Sequence, residues 1–463
     1  MDFPVFHLDF FGNRLLIAVI ATLHVLINHM LAVGAMPLVA FLQWRGMQSG
    51  DQRWDQLAYR ILWTCFIITT SLGALTGVGI WLSTSLVNPH AIGSLIRVFF
   101  WAWFFEWTVF VTEVVLIVIY TLTWKTAWRA RHPKLHLGIG VALAIASWVT
   151  MAVIVAILGF QMDTGVWTVQ PGFWTAVMNP LYLPQLIFRT PFALVTAALV
   201  ALMITGFATR HDPEFRGRAV RTISTWALVF TGPWLLGGWS YWQVIPERML
   251  ANVPTALTTL AFADYLDPLK WALAAAILAV VAVCTWGLLR PRTLPAVVLV
   301  VPVLLAVWQL SYFERVREFI RKPDVIEAYM YSNALRAGDY PMYAEDGLLR
   351  HASYSPVREV TDFNRLEAGR EMFRLSCSRC HTTHGVNGVV RKFGDMYGWK
   401  DWDPAVLDSY LSSMHNTRPF MPPLAGTDDE RAALVDYLIA LRDDPAGLHG
   451  AQTAGAPNRN RNR

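Results

Sequence analysis

Charge is scarce in this chain: 15% of its 463 residues are Asp, Glu, Lys or Arg, 55% are hydrophobic, and mean hydropathy is +0.38. So little charge excludes a water-soluble globule of this size and points to a polytopic membrane protein. The net charge of +5 sits mostly in a few short loops, which excludes a nucleic-acid footprint and leaves a topology signal. Cysteine is nearly absent. Of the 4 cysteines, Cys65 and Cys284 lie inside apolar runs as small core residues, so no disulfide framework is expected. The N-terminus lacks a basic n-region and a small-residue cleavage site. Its first apolar run, Leu15–Leu42, is too long for a removable signal and is expected to stay as a helix. What is abundant is tryptophan, with 21 residues, a side chain that collects at membrane interfaces. The apolar material ends near Tyr312 and a polar remainder follows.

The other two cysteines stand in Cys377-Ser378-Arg379-Cys380-His381, a C-x-x-C-H run. This spacing is the attachment signature of c-type haem: two thiols add to the porphyrin vinyl groups and the adjacent imidazole becomes an axial ligand. A zinc pair is the alternative, but it needs two further ligands, and the remaining cysteines lie in apolar segments. About forty residues on, Arg418-Pro419-Phe420-Met421-Pro422-Pro423-Leu424 offers a thioether in a proline-stiffened loop, with Met414 the competing sulfur. Met421 opposite His381 raises the potential of the iron and suits electron transfer. Amphipathic patterns over Leu366–Phe373 and Glu430–Leu441 predict helices before and after the motif. With these features, Tyr354 to Leu441 resembles a class I cytochrome c.

Eight stretches are long enough to cross the hydrocarbon core, which takes about 20 apolar residues. They are Leu15–Leu42, Ile61–Leu82, Ile96–Thr121, Leu137–Gly159, Leu186–Phe207, Ile223–Trp242, Trp271–Leu289 and Ala296–Leu310. Basic residues alternate between the connections. Arg45, Arg53 and Arg60 follow the first span; Lys125, Arg129, Arg131 and Lys134 the third; Arg210, Arg216, Arg218 and Arg221 the fifth; Arg290 and Arg292 the seventh. The intervening loops are poor in Lys and Arg, so the positive-inside rule puts both termini outside the cytoplasm. A haem c domain at the C-terminus agrees, because c-type haem is attached on the periplasmic side. The expected localisation is therefore the bacterial inner membrane, with the C-terminal domain in the periplasm. The expected division is a membrane domain over residues 1–312, a linker over 313–353, a cytochrome c domain over 354–445 and a disordered tail over 446–463.

Ionisable groups at membrane depth are costly and are functional candidates by default. His24 and His29 lie in the outer half of the first span, Glu106 and Glu113 two turns apart on one face of the third, and Arg189 at the start of the fifth. The eighth span emerges as Phe313-Glu314-Arg315-Val316-Arg317-Glu318-Phe319-Ile320-Arg321-Lys322-Pro323. A histidine and carboxylates of this kind are candidate ligands of non-covalent haem, with arginines as propionate partners. A buried histidine bonded to a helix carbonyl is the bland alternative for His24. Internal pairing with Arg315, Arg317 or Arg321 is the bland alternative for Glu314 and Glu318.

From about Phe10 to Asp324 the helix pattern and these positions resemble subunit I of the cytochrome bd quinol oxidases. Asn13-Arg14-Leu15 through Leu23-His24 resembles the family's opening helix, whose histidine ligates one of two adjacent haems. Ser71-Leu72-Gly73-Ala74-Leu75-Thr76-Gly77 is similar to its second helix, and Glu106 and Glu113 to the paired glutamates of its third. Glu318-Phe319-Ile320-Arg321-Lys322-Pro323 is similar to the run in which a glutamate ligates haem. The resemblance implies His24, Glu106 and Glu318 as ligands of membrane haem iron, Arg321 and Arg189 as propionate partners, and Glu106 and Glu113 in proton delivery. The chain also departs from the family. Arg189 stands where the fifth helix carries a histidine, Asp267-Pro268-Leu269-Lys270-Trp271-Ala272 shows no thioether, the loop Gln243–Pro268 is short, and the cytochrome c segment replaces the last helix.

The expected fold is all-α: a membrane bundle of about eight spans, N-out and C-out, followed by a periplasmic class I cytochrome c domain. Expected cofactors are covalent haem c and one or two non-covalent haems of b or d type. Expected partners are a periplasmic electron donor, either a soluble cytochrome or a dehydrogenase, and a second membrane subunit. Two functions stay open on sequence: a cytochrome c-linked oxygen reductase, and a non-catalytic electron-transfer or anchor subunit serving the quinone pool.

Overall fold

In the computed structural model the described residues are 3–258, 264–400 and 402–443. Long helices dominate. They are α1 (Asn13–Ser49), α2 (Gln52–Val87), α3 (Phe100–Thr123), α4 (Pro133–Met162), α5 (Tyr182–Ala208), α6 (Pro213–Val244), α7 (Leu266–Leu289) and α8 (Ala296–Ile320). All except α6 are long and apolar enough to cross a membrane by length and composition. The helix α6 carries the sixth expected span, diluted by Pro233, two adjacent glycines and several tryptophans. The all-α membrane bundle is therefore the fold observed.

The chain divides into two compact units, one of residues 20–81 and 94–321, the other of residues 1–19, 82–93 and 322–463. In the first, the buried layer comes from one stripe per helix, including Leu38, Leu42, Leu57, Ile61, Leu199, Leu202, Val220 and Ile223. Outward faces carry bare Leu75, Trp107, Leu236, Trp271 and Leu278, each more than three-fifths exposed. Such a belt is unfavourable in water and at home in acyl chains. Gly34 makes one helix crossing possible: a Cβ there would lie 2.0 Å from the Ala193 carbonyl oxygen, so α1 and α5 meet backbone to backbone.

Two π-helical turns interrupt the rods, Asn28–Val33 within α1 and Thr69–Gly73 within α2. Such turns cluster at functional sites because they rotate the side chains that follow. Nothing in the apolar periodicity marks them.

The second unit contains β1 (Asp324–Ile326) paired antiparallel with β2 (Met330–Tyr331), then α9 (Arg365–Ser376), α10 (Val389–Tyr397), α11 (Pro404–Thr417) and α12 (Asp428–Asp443). Its core joins Met372, Phe373, Leu375, Leu411, Leu434 and Leu438. The expected linker covers residues 313–353. Its first part is the end of α8, and Leu335, Leu348 and Leu349 are buried in this second core. The buried Glu430 carboxylate fixes that segment by accepting from the amides of Leu348 (2.8 Å), Leu349 (2.8 Å) and Thr427 (3.0 Å). The expected tail over 446–463 lies outside the described residues.

Candidate haem-binding sites

The helix α9 delivers the C-x-x-C-H run. Its ladder continues through Cys377 N to Phe373 O (2.9 Å) and His381 N to Cys377 O (2.9 Å), so the motif is one further helical turn. That turn presents Cys377, Cys380 and His381 together, and neither thiol is bridged. Asn387, at φ 61°, clamps it: its Nδ2 donates to Cys380 O (2.7 Å), and its own carbonyl accepts from His381 Nδ1 (3.1 Å). Asparagine tolerates this left-handed backbone better than most residues. With Nδ1 tied to a carbonyl, Nε2 is the nitrogen left for iron. Burial pushes the His381 imidazole down to about 4, against the Asn387 hydrogen bond, and a neutral imidazole is the form that ligates metal.

Met421 follows α11 in a loop held from two sides. His415 Nδ1–H donates to Met421 O at 2.6 Å, and Tyr340 OH donates to Pro423 O at 3.2 Å. Tyr340 is itself positioned by Asn333 Nδ2 (3.1 Å). Asn387, His415 and Tyr340 escaped sequence reasoning because nothing in their spacing links them to the motif. Two thiols on one turn, an oriented imidazole and a clamped thioether loop fit haem c.

In the membrane bundle, His24 lies against the Gly- and Thr-rich stretch of α2. Its Nδ1 is 3.2 Å from both Gly73 O and Thr76 Oγ1, and Asn28 Nδ2 is 2.8 Å from its Nε2. Gly77 supplies room for the ring, since a Cβ there would stand 3.1 Å from His24 Cε1. A carbonyl on Nδ1 and a replaceable amide on Nε2 suit an axial ligand.

His29, Arg189, Glu314 and Arg317 form a second, deeper cluster. Arg189 Nη1 is 3.1 Å from His29 Nε2, Arg189 Nη2 is 2.7 Å from Glu314 Oε1, and Arg317 Nε is 3.0 Å from Glu314 Oε2. Arg189 is 1% exposed and its guanidinium also covers the Phe313 ring at 5.1 Å. Arg189 Nε, Arg317 Nη1 and Gln185 Nε2 are buried with no hydrogen-bond partner among the described residues. Those donors fit the carboxylates of a porphyrin, because a buried unmet donor is costly and a propionate meets it.

Of the remaining expected residues, Glu318 and Glu113 have other hydrogen-bond and ion-pair partners. Glu318 pairs with Arg321, just past the end of α8, at 2.7 Å and is 34% exposed at its side chain. It is Glu314, one turn earlier, that turns inward to Arg189. On α3, Glu113 accepts from Ser147 Oγ at 2.6 Å and Thr150 Oγ1 at 3.4 Å, both on α4, while Glu106 is half-buried. Among the described residues no group of three or more His, Cys, Asp or Glu side chains is placed to hold a bare metal ion.

The sequence model described as cytochrome bd terminal oxidase subunit I matches residues 13–248, half of the chain. The chain belongs to that family. A second model, described as cytochrome c oxidase, cbb3-type, subunit III, matches residues 364–438. A structure of bd oxidase from Geobacillus thermodenitrificans aligns with a TM-score of 0.56 over 68% of this chain and 89% of that one, at 18% identity, which shows a shared fold. No curated protein matches. The protein is thus a membrane-integral haem protein of the bd subunit I family joined to a cytochrome c domain. The cytochrome c domain implies covalent haem c, and the family implies non-covalent haem.

Proposed function

We propose that this chain takes electrons from a periplasmic donor at its cytochrome c domain and reduces a small oxidant, oxygen first, within its membrane bundle. The observation that carries the proposal is the coexistence of the Cys377–Cys380–His381 turn with an oriented His24 in one bd-family chain. Haem, when bound, supplies the one-electron transfers and the oxygen chemistry.

The chain's own residues do the rest. Cys377 and Cys380 anchor the porphyrin; His381 and Met421 hold its iron. His24 is the ligand of a membrane haem, with Glu106 and Glu318 as the carboxylate ligands. Arg189 and Arg321 take propionates. Glu113, hydrogen-bonded to Ser147, passes protons inward toward Glu106. Basic loops on the cytoplasmic side set both termini and the cytochrome c domain outside the inner membrane. A second membrane subunit completes the assembly.

A second reading, a non-catalytic electron-transfer subunit, is favoured by one contact. His29 Nε2 is engaged by Arg189, which withholds that imidazole from iron. The test is to purify the protein from the membrane and count its haems. Reduced-minus-oxidised spectra are then recorded with and without carbon monoxide, and oxygen uptake is measured with a reduced soluble cytochrome. A CO-reactive haem and donor-driven oxygen uptake support the reductase. Haems that all ignore CO support the wire. Material holding only acid-stable, covalent haem rejects both.

A further inference from the structure

Residues 3–12 do not trail away; they are built into the cytochrome c domain. Asp9 is the centre of this contact. Its carboxylate accepts the Thr383 amide (Oδ1, 2.7 Å) and the Thr383 hydroxyl (Oδ2), and it pairs with His7 Nε2 at 3.0 Å. Thr383 is the second residue after His381. Next to Asp9, Phe10 O accepts from Val386 N at 3.0 Å. A Cβ on Gly385 would lie 2.2 Å from Phe10 O, so only glycine permits this approach. Upstream, Val5 packs on the cytochrome core, Val5 O accepts from Arg374, and the His7 ring stands edge-on to the buried Phe373 of α9 at 6.2 Å.

The segment is also locked to the start of α1. Asn13 is 1% exposed; its Nδ2 donates to Phe6 O (2.7 Å) and its Oδ1 accepts from Leu8 N (3.0 Å). Gly12, at φ 82°, makes the corner between segment and helix. One end of the segment is thus fixed to the first membrane helix and the other to the loop that leaves the C-x-x-C-H turn.

Resting on the haem c reading of that turn, we propose that Phe3–Gly12 is a strap that positions the axial-histidine loop Thr382–Val386, with Asp9 as its positioning residue. The strap fixes the two ends of the loop by Asp9 to Thr383 and Phe10 to Val386, and thereby the plane of the His381 imidazole. It ties the haem c pocket to the first residues of the helix that carries His24.

The test uses the full-length, haem-loaded protein and two variants, Asp9→Asn and Gly385→Val. Hydrogen exchange is followed at the Thr383 and Val386 amides, together with the haem c midpoint potential and its methionine-to-iron charge-transfer band. Asp9→Asn is expected to lower protection at both amides by about ten- to a hundredfold, the worth of a charge-assisted hydrogen bond. It is also expected to shift the potential and weaken the band, with covalent haem retained. Gly385→Val, which pushes the strap away from the other side, is expected to do the same. Unchanged protection in both variants overturns the strap. Lost protection with unchanged potential and band overturns its positioning role. Wild-type protein without covalent haem, yet with protected amides, refutes the haem c reading and removes what the strap would position.

Discussion

Arg189 Nη2 and Glu314 Oε1 lie 2.7 Å apart, with side chains 1% and 7% exposed, and so join α5 to α8 inside the membrane bundle. A buried pair of this kind holds two elements in register more than it adds net stability, because desolvating both ions offsets most of their attraction. Removing one partner is different, since it strands a charge. Glu314→Leu is expected to cost about 3–5 kcal/mol, because it strands both Arg189 and Arg317, while Glu314→Leu with Arg189→Met strands Arg317 alone and costs less. Thermal unfolding of the purified protein in detergent, followed by intrinsic fluorescence, measures both. Equal losses in the single and double variants would contradict the pairing.

Met421 is clamped by His415 and Tyr340 through the carbonyls of its loop, which leaves its sulfur as the group presented. Met421→Ala is expected to lower the haem c potential substantially, within the ~0.8 V range that axial ligands span, and to leave covalent attachment intact. Redox titration of the c-type absorption band checks this. Cys377→Ser with Cys380→Ser, by contrast, is expected to abolish haem that survives denaturing electrophoresis.

Asp9 gives the attachment loop a pH dependence whose sign is fixed. Burial pushes its carboxyl up, but hydrogen bonds from His7 and Thr383 outweigh this and hold it well below the usual carboxylate range. A depressed pKa means that the contact stabilises fully above the free value of about 4 and weakens as pH falls beneath it. Protection of the Thr383 amide, corrected for intrinsic exchange, is expected to be flat from neutrality to about pH 4 and to decline below. Asp9→Asn is expected to remove that decline.

Glu113 accepts from Ser147 at 2.6 Å between α3 and α4, far from any cytochrome c residue in sequence. If it carries protons, Glu113→Gln should slow oxygen uptake by about a hundredfold or more, the lower end of what a positioned proton donor contributes, and leave carbon monoxide binding unchanged. Ser147→Ala should produce a smaller loss. Uptake at the wild-type rate in Glu113→Gln would remove Glu113 from the mechanism.

Much of this protein is legible from its residues alone. A hydrophobic period sustained over about 20 residues admits a membrane helix and little else, because an unpaired backbone is intolerable in acyl chains. Cys377-Ser378-Arg379-Cys380-His381 is equally local: its chemistry needs neighbours on one helical turn, and sequence adjacency supplies them.

Contacts between distant segments are another matter. That Glu314 faces Arg189 while Glu318 turns to Arg321 depends on how α8 is rotated against α5, and the two carboxylates are one turn apart on the same helix. The π-helical turns beside His24 and His29, and the Asn28 and Gly73 partners they bring, leave no trace in apolar spacing. Residues 322–353 look polar enough for a linker, yet they bury Leu335, Leu348 and Leu349, with Glu430 satisfying the amides of Leu348 and Leu349. The grip of Asp9 on Thr383 spans more than 370 positions. Periodicity and motif are properties of one stretch of chain and can be read there; a partner across the fold exists only after packing has chosen which faces meet.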